Sequence, residues 1–145
     1  MKVAFFLIPK NEVVYLTPKT SMRQALEKME RQSYSAVPLV DEQGCYAGTI
    51  TEGDLLWKLK NTENLDLNGM EKIMLKDITF HVKNKPVRID SRIVDLLSVA
   101  SEQNFVPVVD DQGVFIGIVR RREIITYCVE LIRENESTGS RVEGG

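Results

Sequence analysis

Apolar residues recur along the chain at two spacings, one typical of helices and the other of buried strands. From Met22 to Met29 they stand at positions i, i+3, i+4 and i+7, which places them on one stripe of a helix. The runs 37–40 and 106–109 are short and wholly apolar, as expected of buried strands. The pattern therefore predicts a mixed fold in which helices alternate with short strands.

The second half of the chain repeats the first. The segment AVPLVDEQGCYAGTITEGDLL (36–56) aligns with FVPVVDDQGVFIGIVRRREII (105–125) at an offset of 69 residues. Upstream, residues 16–26 align with 87–97 at an offset of 71, so the second copy lacks two residues just before Pro107. A duplication of this kind indicates two structurally equivalent halves.

Each copy is predicted to fold as β-α-β-β-α. A strand (13–16 and 86–89) leads into a helix that is capped near Thr20 or Ser91. Two strands follow around the turn sequences DEQG and DDQG, and the last helix begins at Thr51 or near Arg121. Neither half alone would bury enough apolar surface, so we expect an α+β fold in which the two halves pack together as a pseudo-twofold pair.

The expected boundaries follow from composition. Residues 1–59 form the first repeat, the polar segment 60–70 forms a linker, and a short connecting helix (71–78) opens the second repeat, which ends at 133. Residues 134–145 have almost no apolar content and are expected to be a disordered tail.

Composition narrows the function. The 145-residue chain has a net charge of −2, which disfavours nucleic-acid binding, and no apolar run long enough to span a bilayer, so no membrane insertion is expected. Cys45 and Cys128 are too few for a disulfide framework or a four-ligand metal site, and a reduced, cytoplasmic protein is the simplest interpretation. His81 is interpreted as an exposed loop residue. Without a nucleophile–base pair or a metal motif, an enzyme is not expected.

The duplicated segments YSAVPLVDEQGCYAGTITEGDLL and NFVPVVDDQGVFIGIVRRREII resemble a tandem pair of CBS domains, a Bateman module. The resemblance covers about residues 1–133. It implies two clefts between the repeats, which in this family commonly bind adenine nucleotides and regulate a partner protein. The shortened second repeat and the arginines after its hairpin also resemble the bacterial CBS-pair proteins that bind cyclic di-AMP (c-di-AMP).

The first cleft carries the motif from Thr51 to Asp54. Thr51 begins a helix, whose free N–H groups favour an anion, and the two oxygens of a carboxylate suit the adjacent hydroxyls of a ribose. The resemblance gives Asp54 that ribose role. It also implies that residues of the preceding segment read and sandwich the adenine, with a further wall from Val14. These residues are Tyr34, Ser35, Ala36, Val37 and Pro38. The alternative is that Thr51 and Asp54 only cap the helix.

In the second cleft Arg120 and Glu123 replace the threonine and the aspartate. Guanidinium groups match phosphate oxygens, so an arginine could hold the phosphate of a ligand bound on Asp54. By similarity to the c-di-AMP-binding proteins, Arg121 and Arg122 are the preferred candidates, while Arg120 stands where those proteins have a threonine. The alternative is a solvated charged turn.

The sequence thus predicts a homodimeric regulatory protein that needs no cofactor. Its regulatory ligand would be AMP, ADP, ATP or c-di-AMP, and it would signal to a partner protein that the sequence does not identify. The competing interpretation is a structural dimerisation module whose clefts no longer bind a ligand. If the arginines instead bound nucleic acid electrostatically, the binding affinity would fall steeply as the salt concentration rises.

Overall fold

Each repeat folds into a helix, a β-hairpin and a second helix, as the computed structural model shows for residues 2–81 and 84–143. The helices are α1 (Met22–Gln32), α2 (Glu52–Lys60), α3 (Leu67–Met70), α4 (Ile93–Ala100) and α5 (Arg121–Glu143). The strands are β1 (Ile8–Pro9), β2 (Ala36–Val40), β3 (Tyr46–Thr51), β4 (Val87–Arg88), β5 (Phe105–Val109) and β6 (Phe115–Arg120). The α+β prediction and the two-repeat arrangement are confirmed.

Helix α1 forms where the apolar stripe predicts it. Ser21 caps it, because its hydroxyl accepts a hydrogen bond from the Gln24 backbone while the Gln24 side chain accepts one from Ser21 N. The cap is therefore one residue beyond the predicted Thr20. At the other end Ser33 adopts a left-handed conformation with φ of 56°, which turns the chain out of the helix toward β2.

The two hairpins are built alike because their turns have the same chemistry. The Asp41 carboxylate accepts hydrogen bonds from the backbone N–H groups of Gln43 and Cys45, each at 2.9 Å. Asp110 makes the same two contacts in the second repeat. A glycine with positive φ completes each turn, at Gly44 and Gly113.

The strands before the helices are shorter than predicted. In the first repeat only Leu16 pairs, as an isolated parallel bridge to Leu39, whereas β4 covers two of the four residues predicted at 86–89. Strands β1, β6, β5 and β4 form one sheet in that order, and β2 pairs with β3. The buried core of each repeat is shared between its strands and the helices that pack on them.

The N-terminal segment packs on the second repeat, although the sequence placed it with the first. Strand β1 pairs with β6, with Ile8 opposite Ile118, and Val3 and Phe6 are buried in the core of the second repeat. This crossing ties the beginning of the chain to the last hairpin.

The two repeats meet hairpin to hairpin. Tyr46 N donates to Gly113 O at 3.2 Å, and Phe115 N donates to Gly44 O at 2.9 Å. A small apolar cluster that includes Val40 and Phe115 lies at this junction. The reciprocal hydrogen bonds are what a pseudo-twofold relation between the repeats requires.

Two local predictions differ from the structure. The connecting segment has the short α3 and a 3-10 turn at Leu75–Asp77 instead of a helix over 71–78. At the end of the chain α5 continues to Glu143, where the sequence predicted a disordered tail. Residues 134–143 contain no proline and include glutamate and arginine, which favour helix, so an established helix can propagate through them. None of the helices within the described residues is long and apolar enough to cross a membrane.

Candidate functional site

A cavity of about 260 Å³ opens between the two repeats. The first repeat contributes residues 13–14, the segment between α1 and β2, and the beginning of β2. The second repeat contributes its hairpin and the beginning of α5. The lining residues are Val13, Val14, Ser33, Tyr34, Ser35, Ala36, Pro38, Asn104, Phe105, Ile118, Arg120 and Arg122. Six of the ten predicted binding residues thus meet in one place: Val14, Tyr34, Ser35, Ala36 and Pro38 of the first repeat and Arg122 of the second.

The position of Tyr34 follows from the end of α1. After the left-handed Ser33, Tyr34 N donates to Met29 O at 3.0 Å, which closes the helix and directs the chain along the cavity wall. The Tyr34 side chain is half-buried there. Beyond it, Glu52 N donates to Ser35 O at 2.9 Å and holds the segment against the start of α2.

The cavity has apolar walls and a polar rim. Val14, Pro38, Phe105 and Ile118 supply flat or branched apolar surface, suited to the faces of an aromatic ring. Val37 does not line the cavity: it pairs with Ile50 in the hairpin and is almost fully buried in the core of the first repeat. Alternation along β2 explains this, because neighbouring residues of a strand point to opposite faces.

Two of the three consecutive arginines lie at the cavity. Arg120 ends β6 and Arg122 lies in the first turn of α5, and both are exposed. Among the described residues, neither has a carboxylate within the 4.0 Å of an ion pair. Their guanidinium groups are therefore available to an anion.

Arg121 lies elsewhere. Its Nη2 donates to Asn104 Oδ1, and its backbone N donates to Asn104 O at 3.0 Å. It lines a neighbouring depression of about 400 Å³ together with Asn104, Arg122, Ile125 and Thr126. The sequence preferred Arg121 over Arg120, whereas the structure brings Arg120 to the cavity. The alternation of side chains at the end of β6, which places Arg120 with Ile118, was the signal that could have identified it.

Thr51 and Asp54 form a reciprocal cap at the start of α2. Asp54 N donates to Thr51 Oγ1 at 3.1 Å, and Thr51 N donates to Asp54 Oδ2 at 2.9 Å. The Asp54 side chain is completely buried. This is the capping arrangement that the sequence left open as the alternative.

The other oxygen of Asp54 is held by His81. Oδ1 accepts a hydrogen bond from His81 N at 2.8 Å and lies 2.9 Å from His81 Nδ1. The imidazole is half-exposed and lies beside the Trp57 ring, with 6.1 Å between ring centroids. The sequence missed this residue, because nothing in the local sequence links a loop histidine to an aspartate in another element.

The structure thus brings most of the predicted first-cleft residues together, but separates Thr51 and Asp54 from them. Thr51 pairs with Ala36 across the hairpin, but its hydroxyl serves the cap, and neither Thr51 nor Asp54 lines the cavity. The cavity instead joins the Tyr34 segment of the first repeat to the helix start of the second. The twofold arrangement of the repeats places the segment before β2 in the first repeat beside the beginning of α5 in the second.

The residues that the pseudo-twofold relates to this cavity lining form hydrogen bonds with other parts of the chain. The buried Gln103 side chain accepts from Lys85 N at 2.7 Å and donates to Lys85 O at 3.2 Å. The Tyr46 hydroxyl contacts Thr49 Oγ1 at 2.6 Å and donates to Asn84 O at 2.9 Å. Burial raises the pKa of Tyr46 to about 12. These contacts hold Asn84 against the first hairpin and Lys85 against the second repeat.

A family model described as the CBS domain matches residues 7–61 and 71–130, which coincide with the two structural repeats. The chain belongs to the CBS domain family. The resemblance stated from the duplicated segments is confirmed. Among the residues that the structure describes, no group of histidine, cysteine or acidic side chains could hold a metal ion.

Relatives of this CBS pair span nearly its whole length. The chloroplastic CBS domain-containing protein CBSX2 of Arabidopsis thaliana is 25% identical, over 94% of this chain and 67% of that protein. A crystal structure of CbpB in complex with c-di-AMP superposes with a TM-score of 0.82 at 19% identity, covering 95% of this chain and 91% of CbpB. CBSX2 in complex with AMP superposes with a TM-score of 0.69 at 23% identity, covering 90% and 97%. At these identities the two structures establish a common fold.

Proposed function

We propose that this CBS pair is a regulatory protein that binds an adenine nucleotide in the cavity between its repeats. The proposal depends on one observation. An apolar slot lies next to the guanidinium groups of Arg120 and Arg122, which form no ion pair within the described residues. An aromatic base fits the slot, and a phosphate fits the arginines. CBS pairs of the same fold are known in complex with c-di-AMP and with AMP, which supports this ligand class.

The base would lie between Val14 and Pro38 on one side and Phe105 and Ile118 on the other. Backbone groups of the Ser35–Ala36 segment would read its edge, as the family resemblance implies. The cavity volume of about 260 Å³ is small among ligand sites, so it holds little more than a nucleoside. The phosphate would consequently extend toward the exposed arginines.

We favour c-di-AMP over AMP as the regulatory ligand. Arg122 lines both the cavity and the neighbouring depression formed with Arg121, Ile125 and Thr126. A dinucleotide could therefore place one base in the slot, a phosphate at Arg122 and its second half across the depression. AMP would fill only the slot and the first phosphate position. In this arrangement Arg121, which the sequence proposed, would contact the distal half of the ligand.

The proposed role is binding without catalysis. The cavity lining includes hydroxyl groups but no histidine, cysteine or carboxylate that could serve as a base or nucleophile activator. Ligand binding would instead change the stability of one interface or conformation relative to another, by an amount limited to the difference in ligand affinity between them. The regulated partner would read that difference.

Isothermal titration calorimetry with c-di-AMP, AMP, ADP, ATP and adenosine tests the proposal. We expect one binding event per chain, tightest for c-di-AMP and weakest for adenosine, which lacks a phosphate. Equal affinity for AMP and c-di-AMP would contradict the dinucleotide assignment. Absence of heat and of thermal stabilisation with every one of these compounds would favour the second candidate, a dimerisation module with a non-binding cleft. That candidate has one observation in its favour, the internal bonding of Asp54.

A further inference from the structure

Both oxygens of the Asp54 carboxylate are bonded within the chain. Thr51 N donates to Oδ2 at 2.9 Å, whereas Oδ1 accepts from His81 N at 2.8 Å and lies 2.9 Å from His81 Nδ1. A carboxylate only accepts hydrogen bonds, so Nδ1 is the donor in the last contact. His81 therefore supplies two neighbouring donors to the same oxygen of a buried acid.

His81 is the member of this pair that faces solvent. Its side chain is 45% exposed, whereas the side chain of Asp54 is 0% exposed. Residues with few buried apolar contacts open locally at low cost, so His81 can leave without disrupting the core. Its departure would strip donors from a buried acid, which is unfavourable unless another molecule supplies replacements. The contact is therefore suited to exchange with a ligand that brings its own donors.

Phe80 positions His81 over the acid. The Phe80 ring packs on the core cluster of the first repeat and lies against Gly48 of β3. A Cβ at Gly48 would come within 2.8 Å of a ring carbon, and the φ of 125° at Gly48 also favours glycine. The absence of a side chain at Gly48 thus makes room for the ring that holds His81 in place. We call Phe80 and His81 together the latch.

The second repeat has no counterpart of the latch. Glu123 corresponds to Asp54 by the offset of 69 residues, but it is exposed and forms no ion pair within the described part of the chain. Counting back from His81 by the upstream offset of 71 leads to Lys10, whose ammonium lies 5.2 Å from the centre of the Tyr15 ring. Internal bonding of the acid is therefore a feature of one repeat and does not follow from the duplicated fold.

We propose that the latch is an autoinhibitory contact, in which His81 competes with an adenine mononucleotide for Asp54. The two adjacent hydroxyls of the ribose replace the two donors of His81, and the imidazole moves into solvent. The proposal takes its ligand class from the proposed function, but binding at Asp54 is separate from binding at Arg120 and Arg122. While the latch is closed, the chain takes up nucleotide only in the cavity between the repeats.

The requirement for two hydroxyls selects among the adenine nucleotides. AMP, ADP and ATP have free 2′ and 3′ hydroxyls on one ribose and can replace both donors. In c-di-AMP the 3′ oxygens are esterified, so each ribose offers one hydroxyl and would leave Asp54 short of a donor, which is unfavourable at a buried acid. The latch therefore excludes c-di-AMP from Asp54 and admits mononucleotides at a higher concentration than an open site would need.

Calorimetry with AMP tests the latch in an Arg120→Ala, Arg122→Ala background, which weakens the cavity between the repeats. Adding His81→Ala should increase the affinity for AMP roughly tenfold, because a competing hydrogen bond to a charged group is removed. His81→Asn places an amide nitrogen where Nδ1 lies and should keep the affinity of the background protein. For 2′-deoxy-AMP, which lacks one of the two hydroxyls, His81→Ala should give no gain.

Tryptophan fluorescence gives a readout that needs no substitution. Trp57 is the only tryptophan of the chain, and its ring centre lies 6.1 Å from that of His81. AMP should change the Trp57 emission of the wild type as His81 leaves, whereas c-di-AMP should not.

The latch and the proposed function fail in different ways. An AMP affinity that His81→Ala leaves unchanged, or a gain of the same size for 2′-deoxy-AMP, would overturn the latch. An emission change with c-di-AMP equal to that with AMP would also count against it. If c-di-AMP fails to bind the wild type while His81→Ala gains affinity for AMP, the assignment of the cavity is wrong and the latch is supported.

Discussion

The carboxylate of Asp54 lies 2.9 Å from Nδ1 of His81, a residue 27 positions further along the chain. Together with the two backbone contacts to Thr51 and His81, this interaction saturates a carboxylate that has no access to solvent. It joins the start of α2 to the segment that connects the repeats. Asp54 therefore has a structural role in the present conformation, whatever further role it has with a ligand.

Replacing Asp54 by asparagine should destabilise the fold. The amide would present an N–H group toward one of the donors that the carboxylate now satisfies, and a buried donor left without an acceptor costs about 1–3 kcal/mol. We expect the free energy of unfolding in urea to fall by about that amount. Asp111→Asn, at the exposed tip of the second hairpin, is the matched control and should change it little.

The same variant tests the ribose role that the sequence gave to Asp54. Because Asp54 does not line the cavity, the affinity of folded Asp54→Asn for c-di-AMP should match the wild type. A variant that keeps its stability but loses nucleotide binding would show that the carboxylate leaves His81 to hold the ribose. His81→Ala separates the contributions further, since it removes the imidazole but retains the backbone donor.

The two cavity arginines should contribute to nucleotide affinity individually. A hydrogen bond to a charged group is worth about 1.5–3 kcal/mol, so Arg120→Ala and Arg122→Ala should each weaken c-di-AMP binding at least tenfold. Adenosine, which has no phosphate, should bind both variants as it binds the wild type. Calorimetry with the two ligands makes the comparison, and Arg31→Ala, at the exposed end of α1, is the control. Equal losses for both ligands would indicate a general effect on the cavity.

The duplication allowed the repeat architecture to be predicted, but not which segments share a cleft. Apolar periodicity located α1, and the similar turn sequences that begin at Asp41 and Asp110 located the hairpins. Such signals are local. The association of the Tyr34 segment with Arg120 depends on how two repeats pack, which no spacing within one repeat encodes.

Contacts between residues far apart in the sequence also explain the other features that the sequence analysis did not predict. The N-terminal segment contains Phe5 and Phe6, which contact the Tyr127 ring of α5 at centroid distances of 5.6 and 5.4 Å. The sequence placed this segment with its nearest neighbours along the chain, in the first repeat. His81 is exposed, as predicted, but its contact with Asp54, 27 positions earlier in the chain, could not be inferred from the local sequence.

Gly117 should be intolerant of a side chain. It has φ of 157°, and a Cβ there would lie 2.1 Å from the Ile8 carbonyl oxygen, so β1 would have to leave β6. Gly117→Ala should therefore destabilise the protein by several kcal/mol, comparable with overpacking of a core. At Gly53, inside α2, an added Cβ would lie 3.6 Å from Thr51 Oγ1, an ordinary contact, so Gly53→Ala should instead stabilise the protein by about 0.5–1 kcal/mol. Urea denaturation of the two variants gives the comparison, and similar effects would contradict the close approach of β1.

Tyr46 should make stability depend on pH in the alkaline range. Burial raises its pKa to about 12 in the folded protein, above the value near 10 expected when the chain is unfolded. The folded state thus favours the protonated phenol, and its contribution is complete below pH 10 and is lost as the pH rises toward 12. Tyr46→Phe lacks the hydrogen bonds to Thr49 and Asn84 and should be less stable by about 1 kcal/mol at neutral pH. Between pH 10 and 12 the difference between the two proteins should shrink, because only the wild type has this phenol to ionise. Urea unfolding over that range measures it, and a constant difference would show that the hydroxyl is equally accessible in both states.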